Sequence, residues 1–191
     1  MILEDGKGSG HSVQVNAENQ ICTSAITQTL DNHSNIIHKT SYNAVFAVNP
    51  DGADDCIFYL KNDDDQNIII EGIWLQSSGA EEVYLKIGET GTAVKTSGAD
   101  ITPVNLNVGS GNLADCTCYS NAGDGAVDIT GLSGGSIFQK YWITAAADTK
   151  FFNFEQDIIL PKNKTFTIYC VGGDTNIRGT ACFFFHDNPI G

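Results

Sequence analysis

Basic residues are scarce in this sequence: 10 Lys and Arg stand against 23 Asp and Glu in 191 residues, a formal net charge of -13. Affinity for nucleic acid rests on Lys and Arg contacts to phosphate, so this balance argues against a nucleic-acid partner. It opposes docking to anionic membrane surfaces for the same reason. Long apolar runs are missing as well; nothing approaches the roughly 18–20 residues that a spanning helix needs. The opening stretch, Met1 to Gly10, has no basic start followed by an apolar core, so it does not read as a signal peptide. The expectation is a chain with no membrane partner, made and used without secretion. Helix formers are thin too, with a single Met and few Lys, Arg and Glu.

Reactive motifs are equally sparse. The four histidines, His11, His33, His38 and His186, lie in no nucleophile signature such as G-x-S-x-G. Six cysteines fall at positions 22, 56, 116, 118, 170 and 182. The chain is long enough to fold without staples, and several of its cysteines stand in apolar strand patterns, so they read as free buried thiols. Cys116-Thr117-Cys118 is the most metal-like feature. Zinc sites pair a C-x-x-C unit with a second close pair, which is absent, so two small strand residues sharing a face is the stronger reading. Asp63-Asp64-Asp65 and the group Asp51, Asp54 and Asp55 are candidate oxygen ligands for calcium, but neither fits an EF-hand loop and both read as solvated turns. The glycine-rich pieces near 8–10, 109–111 and 131–135 lack the Lys and helix of a phosphate cradle. Asn32-His33-Ser34 and Asn163-Lys164-Thr165 match the glycosylation sequon by chance if no signal peptide is present. Trp74 and Trp142, with Tyr84 and Tyr141, are candidates for a sugar-stacking platform, though aromatics on alternating strands usually belong to cores or interfaces. The residues therefore assign no catalytic, cofactor-binding or metal-binding role, and no enzyme activity.

What is abundant favours strands: 20 Gly, 10 Phe and 6 Tyr, with many Thr, Ile and Val. Ser12 to Asn16 alternates, and apolar–polar stretches follow at 20–30 and 34–48. Cys56 to Lys61 and Ile68 to Gln76 flank a polar tip and read as a hairpin. Glu82 to Ile87, Ser136 to Thr144, Phe151 to Leu160, Thr165 to Val171 and Ile177 to His186 are further strands. In the second of these, Ile137, Tyr141 and Ile143 are expected on one face and Phe138 and Trp142 on the other. Residues 88–135 read as long connections and edge strands. No window has convincing helical spacing; the best, Thr144 to Lys150, is short. About ten short strands at spacings of roughly 8–12 residues predict an all-β, antiparallel β-sandwich or jelly roll. It occupies 12–191 as one domain, behind an extended N-terminal arm over 1–11, with long central loops.

The order of segments carries a resemblance. Val13 to Gln20, the strand from Cys22, Ser41 to Phe46, Cys56 to Asn62 and Ile68 to Gln76 are followed by Thr102-Pro103-Val104-Asn105-Leu106-Asn107-Val108-Gly109-Ser110. Then come Ile159 to Ile168 and a Phe-rich last strand. This pattern resembles the small jelly-roll decoration, or cement, proteins of tailed-phage heads over most of 12–187. The resemblance implies a non-enzymatic homotrimer on the outer capsid surface of the virion, assembled in the host cytoplasm. Its partner would be the major capsid protein, whose lattice it would stabilise. Other virion components, such as a head fibre base or a tail-associated adhesin, and a carbohydrate-binding jelly-roll module are the competing readings.

Overall fold

The computed structural model describes residues 29–50, 54–95, 99–120, 129–144, 149–172 and 175–186. The expected arm over 1–11, the strand at 12–16 and most of the stretch at 20–30 lie outside these residues. A four-residue helix, α1 (Leu30–His33), runs straight into a π-helical turn at Ser34–His38. Then come β1 (Ser41–Val48), β2 (Asp55–Asn62), β3 (Asn67–Ser77) and β4 (Glu81–Lys95). Three short strands follow, β5 (Ala99–Asp100), β6 (Val104–Asn105) and β7 (Cys116–Ser120). The chain continues with β8 (Ile129–Ile143), β9 (Thr149–Leu160), β10 (Thr165–Cys170) and β11 (Ile177–His186).

These strands form two antiparallel sheets packed as a sandwich, ordered β6-β1-β11-β3-β9 and β5-β7-β2-β10-β4-β8. Without the short strands β5, β6 and β7, each sheet keeps four long strands, β1-β11-β3-β9 and β2-β10-β4-β8. In chain order the long strands cross between sheets at every step except β4 to β8, and the last pairs with the first. That is the jelly-roll arrangement of two Greek keys. The three short strands extend the sheets on the side away from β8 and β9.

Period-two alternation explains why these segments pair as they do. In β10, Phe166, Ile168 and Cys170 point inward; in β11, Ile177, Ala181, Phe183 and Phe185 do. They meet Ile68, Ile70, Ile73 and Leu75 of β3 and Ile57, Phe58 and Leu60 of β2 in one core between the sheets. Fully burying a side chain of this size contributes about 1.5–3 kcal/mol. A smaller cluster of Cys56, Tyr59 and Ile129, with Ala93 and Leu132 against it, lies outside that core. It shows that β4 and β8 bend over the outer face of their own sheet.

Glycine makes that bend. Gly91 has φ 103 and Gly131 has φ 80, and a Cβ on Gly91 would stand 2.2 Å from the Gly131 carbonyl oxygen. The glycine-rich ends of the 88–135 segment therefore lie inside the two longest strands rather than in connections. A bulge opposite Leu85 and Lys86 also changes the faces of β8. Phe138 packs inward against Phe154 and Phe166, and Tyr141 packs edge-on against Phe152, on the same side as Ile143. The expected partition of Ile137, Tyr141 and Ile143 against Phe138 and Trp142 is corrected accordingly, because one extra residue reverses the alternation.

Two more differences are local. The nine residues of α1 and its π turn form a helical segment where none was expected. Of the short window Thr144 to Lys150, the nearest to helical spacing, residues 145–148 lie outside the described ones, while Thr149 and Lys150 open β9. No helix among the described residues is long and apolar enough to cross a membrane.

Candidate functional site

The fold gathers three histidines. His33 and His38 have ring centroids 4.9 Å apart, and His38 and His186 lie 6.3 Å apart. The π turn brings the first two beside the end of β11, held there by Phe185 N–H donating to the Thr40 carbonyl at 3.0 Å. His11 lies outside the described residues. No group of three or more His, Cys, Asp or Glu side chains among the described residues is arranged to hold a metal ion.

The five described cysteines are free. Cys116 and Cys118 share one face of β7, as the two-residue spacing predicts, and that face is the inner one. Burial, reinforced by Asp63 and Asp115, pushes the Cys116 thiol up to about 12. Burial raises Cys118 well above the usual thiol range. Both thiols are therefore harder to ionise than an exposed cysteine.

The acidic hairpin tip is occupied by its own neighbours. Asp63 pairs with the Lys61 ammonium at 2.6 Å and accepts from the Thr117 hydroxyl at 2.6 Å. Burial alone would raise its carboxyl, but these bonds outweigh burial and hold it below the usual carboxylate range. Asp64 accepts from the Gln66 backbone N–H at 2.9 Å, and Asp65 pairs with Lys162 at 2.6 Å. Asp54 accepts from the Tyr84 hydroxyl at 3.2 Å, Asp55 is buried, and Asp51 lies outside the described residues.

A buried carboxylate that sequence reasoning passes over sits at the bend of β4. Glu89, 3% exposed, accepts from the Thr167 hydroxyl at 2.6 Å and from the Tyr169 hydroxyl at 2.9 Å and 3.1 Å. It also pairs with the Lys86 ammonium, which lies 4.8 Å from the centre of the Tyr169 ring. The Glu89 carbonyl accepts from Thr165 Oγ1 at 2.9 Å. A carboxylate offers about four acceptor positions, and three donors, Thr167, Tyr169 and Lys86, share its two oxygens. The arrangement pins the bend of β4 onto β10. The only hint in the sequence is a Glu placed between Gly88 and Gly91 at the end of an apolar alternation.

The aromatic candidates do not form one platform. Trp74 and Trp142 lie in different sheets. Tyr84 stacks on Tyr169 with ring centroids 5.0 Å apart, and Tyr141 is taken up by Phe152 at 4.3 Å. Among the described residues, Trp142 and Trp74 each stand on a separate exposed surface. One is the outer edge of β8, where Trp142 is 57% exposed and Ile137, Phe138 and Tyr141 are each more than a third exposed. The other is a shallow groove of about 280 Å³ on the five-stranded sheet, lined by Val45, Ala47, Trp74, Gln76, Arg178 and Thr180 among others.

Strand order, register and core together define an antiparallel jelly-roll β-sandwich. The chain matches no known family model and no curated protein.

Proposed function

We propose that this jelly roll is a non-enzymatic virion structural protein. It acts as a capsid decoration protein that binds the outer surface of the major capsid lattice as a homotrimer and stabilises the head. The observation that carries this reading is the open edge of β8. That strand pairs with β4 and with no other described strand, while Ile137, Phe138, Tyr141 and Trp142 stay partly in solvent. An edge strand with unpaired backbone groups and exposed apolar side chains is a template for association. Three copies closing around an axis would cover such edges without leaving one open. The net charge of -13 keeps the chain away from a packaged genome, and many weak copies on one shell add up through multivalency.

The test is cryo-electron microscopy of particles assembled with and without the protein. Trimeric density on the outer shell, with a lower bursting temperature when it is missing, is the expected result. Density on the tail, or particles equally stable without the chain, would overturn the reading.

A further inference from the structure

We propose that the groove on the outer face of the five-stranded sheet binds a pyranose sugar bearing a carboxylate, the unit of an acidic glycan. Cross-strand register builds it. Val45, Thr180, Trp74 and Phe151 form one row across β1, β11, β3 and β9, and Ala47, Arg178, Gln76 and Thr149 form the next. Trp74 is 47% exposed and Val45 is 62% exposed. Phe151 stacks on the indole with ring centroids 4.4 Å apart and an interplanar angle of 26°. It covers one face of Trp74 and leaves the other toward Thr180 and Val45, where the groove lies. Gly72 makes this stack possible, since a Cβ there would stand 2.7 Å from the Phe151 ring.

The dimensions suit one ring. Val45 and Trp74 are two strands apart, about 9–10 Å at the backbone. Touching atoms sit about 3.5–4 Å apart, so a single saturated ring fits between the two walls. Its axial C–H groups would meet the indole face.

The polar partners point to the carboxylate. Arg178 is the only arginine of the chain. It is exposed, stands in the row beside Trp74, and forms no ion pair with a described residue. A free guanidinium in an acidic protein is a fork for one carboxylate. One arginine does not make a phosphate-backbone site. Past Arg178 the groove opens into a polar recess of about 370 Å³ shared with Gln76, Ser78 and Asn176, whose amides and hydroxyl suit ring hydroxyls. An extended peptide is disfavoured, because β1, β11 and β3 are each paired on both sides and offer no free backbone edge.

The full-length chain would be titrated with methyl glucuronide and methyl galacturonide, and with the neutral methyl glucoside and galactoside, followed by Trp fluorescence and by NMR of the indole and guanidinium N–H signals. At least one uronide should bind about tenfold or more tightly than its neutral counterpart, the gain of a charge-assisted fork, and should move the Trp74 and Arg178 signals. Arg178→Gln should bring the acid to the affinity of the neutral sugar while leaving the neutral sugar unchanged. Trp74→Ala should abolish both, and Trp142→Ala should change neither. Because the signals are read on the unaltered chain, a variant that fails to fold does not decide the matter. No uronide binding at about 10 mM, the weakest affinity worth naming, would overturn the proposal. So would equal binding of acid and neutral sugars, or shifts that bypass Trp74 and Arg178.

Discussion

Consider the substitution Glu89→Ala. It removes a buried carboxylate and leaves the Thr167 and Tyr169 hydroxyls and the Lys86 ammonium without their acceptor. Lys86 cannot turn fully to water, because its side chain is only 17% exposed. Deleting one partner of a buried pair destabilises by about 3–5 kcal/mol. In a chain of this length each kcal/mol shifts the melting temperature by about 2–4 °C. The variant should therefore melt about 6–20 °C lower, by calorimetry or circular dichroism at neutral pH. Glu89→Gln keeps an acceptor for one hydroxyl and should fall between wild type and alanine. Adding Lys86→Met to Glu89→Ala removes the stranded charge and should recover part of the loss. A Glu89→Ala protein that melts within about 2 °C of wild type would refute the claim that this carboxylate pins the β4 bend.

Three further outcomes follow from single contacts. Asn62 donates to the Gln66 and Leu160 carbonyls at 2.7 Å and 2.8 Å and accepts from the Asp64 N–H at 2.9 Å, so Asn62→Ala should cost about 2–3 kcal/mol, read as a lower urea midpoint at unchanged slope. A Cβ at Gly179 would stand 2.2 Å from Phe46 Cζ and 2.8 Å from Leu75 Cδ2, so Gly179→Ala should destabilise by about 1–3 kcal/mol through overpacking; a melting curve equal to wild type would contradict that packing. Burial pushes Cys116 up to about 12 and Cys182 up to about 11, so above the ordinary thiol range the native state holds protons that the unfolded chain releases. Stability is then full below about pH 9 and declines as pH rises through these values, and a flat urea midpoint from pH 8 to pH 11 would oppose it.

The strands were legible where alternation is unbroken. Phe166, Ile168 and Cys170, and Ala181, Phe183 and Phe185, face the core as their spacing predicts. Legibility fails where a bulge intervenes: Phe138 turns inward because β8 holds one residue more than β4 there. Gly131 to Gly135 read as a loop, since glycine signals turns, yet their positive φ values bend a strand that continues through them. The helical segment at Leu30–His38 is too short for a 3.6-residue period to register. The jelly-roll class follows from strand number and spacing, whereas the pairing order is a long-range property that no local pattern encodes. The candidate sites divide in the same way. Trp74 could be named from the sequence, but its neighbours Phe151 and Arg178 come from strands far along the chain and meet it only through cross-strand register.

The place of β11 has a kinetic meaning. It lies between β1 and β3, hydrogen-bonded to both. During synthesis those two strands emerge more than a hundred residues before the one that must separate them. Until residue 186 leaves the ribosome, the middle of this sheet stays open, with Ile68, Ile70 and Ile73 unmatched on one side and Ala44 and Phe46 on the other. Such non-local closure places folding in the slow regime of milliseconds to seconds, and the unfilled gap is the interval in which a chaperone, or a neighbouring nascent chain, competes for it.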